Sequence, residues 1–366
     1  MTAIAFIQLA LIGLAMAAII LALAWLKSKS FTFHRLVLLT AFFTFDLILF
    51  GAFTRLTDSG LGCPDWPGCY GFSNPLAAIH DIRAAEMQMP SGPVTLSKAW
   101  IEMLHRYFAM GVGCLIIGMV VWSFLRRQSE GIHYFLGSLA ILLLVCLQGA
   151  FGAWTVTLKL QPIVVTTHLL LGLTLVASLA IFSMATSPIP VGFAARHSET
   201  GLLYWLIGAL LILGAQIFLG AWVSTNYAVL ACEDFPTCQG VWWPSMDFSN
   251  GFHLWRELGQ TQKGQLLGLD ALRAIHWAHR VGAVITLVVL AYVGLKALKV
   301  SIVQGHPVMR RWSFALLGLS LVQLLTGMSN VILDWPLSAA LMHTGGAAGL
   351  LIVTVSLFWM TYRGRA

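Results

Sequence analysis

Residues 162–185 read PIVVTTHLLLGLTLVASLAIFSMA, 24 residues without one Asp, Glu, Lys or Arg. At about 1.5 Å per residue a helix of this length crosses a hydrocarbon layer of about 30 Å. Comparable runs recur near 3–26, 34–55, 99–124, 132–155, 202–224, 270–297, 309–331 and 337–361, giving nine predicted spans in all. Segment 3–26 lacks a basic leader and a small-residue cleavage site, and its positive charges follow it at Lys27 and Lys29, so it reads as a retained anchor rather than a signal peptide.

Composition agrees with a membrane protein. Of the 366 residues 58% are hydrophobic and 10% charged, too few charges to coat a soluble fold of this size. The net charge of +7 does not point to nucleic acid, because the basic residues sit in short connections between spans. Lys27, Lys29, Arg35, Arg126, Arg127, Arg196, Lys296, Lys299, Arg310, Arg311, Arg363 and Arg365 all fall on one side if nine spans alternate. An excess of Lys and Arg marks the cytoplasmic side, so the N-terminus is expected outside, the C-terminus inside, and the chain in a bacterial inner membrane.

Two long segments, 56–98 and 225–269, lie on the opposite side and hold Cys63, Cys69, Cys232 and Cys238. An oxidising periplasm suits paired cysteines. Each pair encloses five residues including proline, a spacing that permits a short-loop disulfide but equally leaves open thiols that handle electrons or substrate. Cys114 and Cys146, inside spans, read as packing residues.

The halves of the chain repeat. Leu49-Phe50-Gly51-Ala52-Phe53 matches Phe218-Leu219-Gly220-Ala221-Trp222; the cysteine pairs follow at the same offset; His105-Arg106 matches His279-Arg280; and Gln148 precedes His168 by the interval that separates Gln323 from His343. The repeating unit is four spans, an even number, so the second copy keeps the orientation of the first. The expected fold is all-α and polytopic, with two tandem four-helix bundles in a parallel pseudo-twofold repeat plus one extra N-terminal helix. Its divisions are 1–30 for the extra helix, 31–190 for the first bundle and 196–366 for the second.

An ionisable side chain inside a membrane needs a partner and a reason. His105, His168, His279 and His343 occupy matched positions near the outer ends of their helices, and two imidazoles facing across a bundle form an axial cradle for haem iron. Zinc, which gathers three or four ligands, fits two matched pairs poorly. His34, His80, His133, His197, His253 and His306 lie in loops or at interfaces and are expected to hold no cofactor. The repeat breaks at Glu102, one turn before His105, where the second copy has His276. A carboxylate beside one pair and an imidazole beside the other indicates different work at the two sites; the plainer reading pairs Glu102 with Arg106 or Lys98.

The motifs Gly51-Ala52-Phe53-Thr54-Arg55-Leu56-Thr57-Asp58-Ser59-Gly60-Leu61 and Glu102-Met103-Leu104-His105-Arg106 resemble signatures of the haem A synthase family, over about residues 34–361. The resemblance implies that His105 and His168 serve a substrate haem, that His279 and His343 ligate a haem b cofactor, and that Glu102 is needed for activity. It also implies disulfides, expected as Cys63–Cys69 and Cys232–Cys238. The implied reaction oxidises a methyl group of haem O by two successive hydroxylations, with loss of water leaving the formyl group of haem A for cytochrome oxidase biogenesis. Arg55, Arg106 and Arg280 are candidates for the propionates, since a guanidinium fork matches a carboxylate. Gly111, Gly113 and Gly118 on the His105 helix would allow close helix approach or room for a macrocycle. Implied partners are haem O, haem A, lipid, haem O synthase, cytochrome oxidase assembly proteins and an electron donor the sequence does not identify. The front helix departs from the family pattern.

Three other classes compete. A dihaem b-type electron-transfer cytochrome explains the histidines but gives Glu102 no task. A disulfide-generating membrane oxidoreductase explains the cysteines and leaves the histidines idle. A transporter of parallel repeats calls for broken helices and mid-depth charges, for which only Asp46 is a candidate.

Overall fold

The computed structural model describes residues 3–26, 31–188 and 200–363; Lys27, Lys29, Arg196, His197 and Arg365, with the side assignments drawn from the charged ones, lie outside the described residues. Among the described residues twelve helices follow one another: α1 (Ala3–Leu26), α2 (Phe33–Leu56), α3 (Ile79–Gln88), α4 (Leu96–Leu125), α5 (Arg127–Glu130), α6 (Ile132–Thr157), α7 (Pro162–Ala185), α8 (Thr200–Thr225), α9 (Phe248–Gly251), α10 (Leu269–Val303), α11 (Pro307–Ile332) and α12 (Leu337–Arg363). Among the described residues nine, all but α3, α5 and α9, are long and apolar enough to cross a membrane. The protein is an all-α polytopic membrane protein.

Each expected span has its helix, and the largest discrepancy is at the end of α10. The predicted span ends at 297, just past Lys296, but α10 continues to Val303 and carries Lys299 as well. Lysines at a helix end can stay on it by laying the stem along neighbours, and Lys296 Nζ lies 5.8 Å from the ring centres of Trp205 and Tyr292. The short helices α3, α5 and α9 carry no apolar run and had no signature of their own.

The chain divides into two compact units, Met1–Leu160 with Thr174–Thr186, and Gln161–Leu173 with Ser187–Ala366. In the first, Phe33, Leu36 and Val37 of α2, Val112, Leu115, Ile116 and Met119 of α4, Ile141 of α6, and Leu175 and Leu179 of α7 form one core, with Ala17 of α1 against it. The front helix approaches α4 closely because both present glycine: a Cβ on Gly13 would stand 2.7 Å from that of Met110, and one on Gly111 3.5 Å from that of Met16. Gly111 therefore serves helix approach. In the second unit α8 packs on α10 and α12, α10 on α11, and α11 on α12, closing a ring of four.

Buried hydroxyls inside these helices satisfy themselves on the preceding turn. Thr40 donates to Leu36 O at 2.8 Å and Thr354 to Leu350 O at 2.7 Å, which lets polar residues sit in an apolar helix. The repeat also extends to backbone conformation. Asp58 and Tyr227 turn left-handed just past α2 and α8, and Lys159-Leu160 and Asp334-Trp335 do so past α6 and α11. Left-handed non-glycine residues are uncommon. Their recurrence at matched positions means the two units share helix-ending geometry as well as side chains.

Candidate functional site

His279 lies in the third turn of α10 and His343 in the second turn of α12. Their ring centroids are 6.4 Å apart and the rings nearly perpendicular, at 84°. Two metal–nitrogen bonds of about 2 Å each, plus roughly 1 Å from each nitrogen to its ring centre, require about 6 Å between centroids. The pair is therefore spaced for a single iron between two imidazoles. Glycines make the clefts in which the rings lie: a Cβ at Gly220 on α8 would stand 2.9 Å from His279 Cε1, and one at Gly327 on α11 3.2 Å from His343 Cε1. Gln323, matched to Gln148 by sequence, donates from Nε2 to His343 O at 3.0 Å.

In the first unit His105 occupies the third turn of α4. It rests on α2, where a Cβ at Gly51 would stand 3.0 Å from its Cε1 and Phe50 meets it edge-on at 5.8 Å. His168 sits in the second turn of α7, within the segment Gln161–Leu173 that belongs to the second unit.

Glu102 is 4% exposed. Its Oε2 accepts the Cys63 N–H at 2.8 Å, and its Oε1 pairs with Arg106 Nη2. Arg106 Nη1 donates to the carbonyls of Asp65, Pro67 and Gly68 at 2.9, 3.1 and 2.5 Å. In the second unit Arg280 Nη1 donates to Asp234 O and Thr237 O at 2.9 and 2.8 Å, Nη2 to Cys232 O at 2.9 Å, and Nε to His276 Nε2 at 3.3 Å. Both guanidiniums, expected from the sequence as propionate contacts, thus donate to the carbonyls of a cysteine loop, Arg106 also to Glu102 and Arg280 also to His276. Arg55, the third candidate, pairs with Asp58 at 3.3 Å.

Those loops are closed by Cys63–Cys69 and Cys232–Cys238, with Cα atoms 4.9 and 4.8 Å apart. An aspartate two residues past the first cysteine organises each one. Asp65 accepts the N–H groups of Tyr70 at 2.6 Å and Gly71 at 2.7 Å; Asp234 accepts those of Gln239 and Gly240 and the Thr237 hydroxyl. The Thr237 hydroxyl and then the Gly240 N–H hold the Asp234 carboxyl at about 2, below the usual carboxylate range. Tyr70 and Gln239 are left-handed, which aims two successive N–H groups at one carboxylate. The sequence reading passed over Asp65 and Asp234; their equal place after the first cysteine was the available signal.

Of the remaining histidines, His34 Nδ1 lies 3.4 Å from Thr186 Oγ1, and His306 caps α11 by accepting the Met309 N–H at 3.1 Å. Cys114 and Cys146 are free thiols.

The family model described as cytochrome oxidase assembly protein (COX15-CtaA) matches residues 34–355. A protein of Shewanella oneidensis named heme A synthase is 39% identical over 330 residues, 88% of this chain and 94% of its own length. Proteins with the same name from Allorhizobium ampelinum and Rhizobium rhizogenes are 29% and 28% identical over 85% and 83% of this chain and 85% and 82% of theirs. The matched range begins with α2 and includes His105, His168, His279 and His343, Glu102 and both cysteine loops, and on this agreement the chain belongs to the COX15-CtaA family of cytochrome oxidase assembly proteins.

Proposed function

We propose that this protein is a haem A synthase: a membrane oxidoreductase that converts a methyl group of haem O to the formyl group of haem A. The observation that carries the reading is the His279–His343 pair, spaced at 6.4 Å for one iron, in a chain whose relatives bear that name. Each hydroxylation replaces a methyl C–H with C–OH, drawing oxygen and electrons from donors outside this chain. The resulting geminal diol loses water to give the aldehyde.

In this reading haem b is held by His279 and His343 in the second four-helix bundle and supplies one-electron chemistry when bound. Haem O is the substrate, and His105 and His168 are the residues proposed to serve it, His105 belonging to the first compact unit and His168 to the second. The repeat supports placing both pairs at the same depth, toward the periplasmic side, with the N-terminus periplasmic and the C-terminus cytoplasmic. Haem O is amphiphilic, so lateral entry from lipid suits a site within the bilayer. The division into 1–30, 31–190 and 196–366 belongs to this proposal, as do haem O synthase and cytochrome oxidase assembly partners.

Glu102 is our candidate acid–base residue, one turn from His105 and matched by no carboxylate in the second copy. Its contacts with Cys63 and Arg106 give it a second duty, tying the first loop to the His105 helix. Arg106 and Arg280 also hold the loops, and Arg55, Arg106 and Arg280 remain the candidates for the propionates. The deciding experiment is extraction of all porphyrins from the purified protein, with identification by mass. Haem b together with haem O or a hydroxylated derivative supports a synthase; haem b alone, with no conversion of added haem O by membranes containing the protein, supports an electron-transfer cytochrome.

A further inference from the structure

His279 and His343 are both engaged at Nδ1 by side chains from neighbouring helices. Thr326 Oγ1 on α11 lies 3.0 Å from His343 Nδ1, and the Gln216 amide on α8 lies 2.9 Å from His279 Nδ1. Thr326 has one hydroxyl proton, and Val322 O takes it at 2.8 Å. The oxygen then meets Nδ1 as an acceptor, which puts the ring proton of His343 on Nδ1 and leaves the lone pair on Nε2. For His279 the amide can turn either end inward. As placed, Gln216 Nε2 also donates to His279 O at 3.1 Å, and its Oε1 is buried without a hydrogen-bond partner; a half-turn of the amide gives up that donation and brings Oε1 to Nδ1, where it accepts the same proton.

Neither contact follows from the repeat. The position matched to Gln216 is Leu47, and the position matched to Thr326 is Phe151; neither side chain has a hydrogen-bonding group. Two polar residues were therefore placed in the second copy, inside apolar helices, each within hydrogen-bond reach of one histidine.

We infer that Gln216 and Thr326 are positioning residues that fix the His279 and His343 imidazoles with Nε2 free for iron and make that site a retentive one. The inference rests on the proposal that His279 and His343 ligate haem b. Accepting the Nδ1 proton makes an imidazole a stronger donor to a metal, which favours the ferric state and tight binding.

The test uses the full-length purified protein with bound haem and the variants Thr326→Val, Thr326→Ser and Gln216→Leu. Haem retention is read by transfer to apomyoglobin and the midpoint potential by redox titration. Thr326→Val and Gln216→Leu should bind haem about 10- to 100-fold more weakly, with a more positive potential, as loss of such outer contacts typically does. Thr326→Ser, which keeps the hydroxyl, should restore wild-type values. Wild-type retention and potential in both Thr326→Val and Gln216→Leu would overturn the inference, as would a Ser variant as impaired as Val. His279→Ala and His343→Ala separate the two levels: if they keep the wild-type haem spectrum, the ligand assignment falls and this inference with it, whereas if they lose it and the brace variants do not change, the inference alone falls.

Discussion

His279 and His343 meet with ring centres 6.4 Å apart, one ring nearly perpendicular to the other, each in a cleft opened by a glycine of an adjacent helix. Removing either leaves one axial nitrogen where the haem proposal needs two. His279→Ala and His343→Ala should therefore abolish the low-spin haem b spectrum. His105→Ala and His168→Ala should spare most of it and impair conversion of haem O. Reduced-minus-oxidised spectra of the four purified variants check this, and equal loss in all four would sink the division of labour.

The glycine clefts carry a related expectation about stability. Gly220→Ala would bring a methyl to 2.9 Å from His279 Cε1, closer than van der Waals contact, so the imidazole must shift. Overpacking of this kind typically costs about 1–3 kcal/mol. The variant should fold with a lowered melting temperature and a shifted haem spectrum, while Gly214→Ala on the same helix, whose added methyl would meet nothing within 4 Å, should change neither.

Arg106 and Arg280 do the same mechanical work on different partners. Arg106→Ala frees three loop carbonyls and also strands the buried Glu102 carboxylate, a loss of the kind that costs about 3–5 kcal/mol. Arg280→Ala frees loop carbonyls but leaves no buried carboxylate behind, so it should cost less. Adding Glu102→Gln to Arg106→Ala should return part of the stability. Thermal unfolding in detergent ranks the variants; equal losses for the two arginines would remove Glu102 from the explanation.

The second cysteine loop should be sensitive to acid. Asp234 titrates at about 2 in the folded loop, below its unfolded value of about 4. A depressed carboxyl stabilises fully above the unfolded value, and the contribution is lost as pH falls through the folded one. Pepsin cleavage between Cys232 and Val241 should therefore rise as pH drops from about 4 toward about 2. Asp234→Asn should be cleaved readily throughout, with no such step.

What the sequence made legible follows from the solvent. An apolar run has only one way to satisfy its backbone in lipid, so the nine helices could be bounded to within a few residues except at α10, where lysine stems let the helix run on. His105, His168, His279 and His343 stood out because an imidazole in such a run is expensive. The contacts made across helices or with the backbone were hidden. Thr326 meets His343 from another helix, and Arg106 and Arg280 act on carbonyls, which carry no side-chain signature. Asp65 and Asp234 act through turns whose left-handed residues, Tyr70 and Gln239, are not ones that announce such a conformation.

Glu102 tests whether the first unit does chemistry. Its carboxylate lies one helical turn from His105 and is shared between Arg106 and the Cys63 N–H, so it is placed both to move a proton and to hold a loop. A glutamine there keeps the size and an acceptor for Cys63 but removes the charge, and Arg106 retains its three loop carbonyls. Glu102→Gln should therefore fold and keep haem b. General acid–base help is typically worth about 100- to 10,000-fold, so the variant should accumulate haem O or the singly hydroxylated intermediate with little haem A. The measurement is a haem extract from cells carrying the variant as their only copy, resolved by chromatography and mass beside wild type. Near-normal haem A would reduce Glu102 to a loop anchor, and loss of haem b along with activity would make it a support of the fold. A stalled product profile with haem b intact is the outcome that assigns it to the reaction.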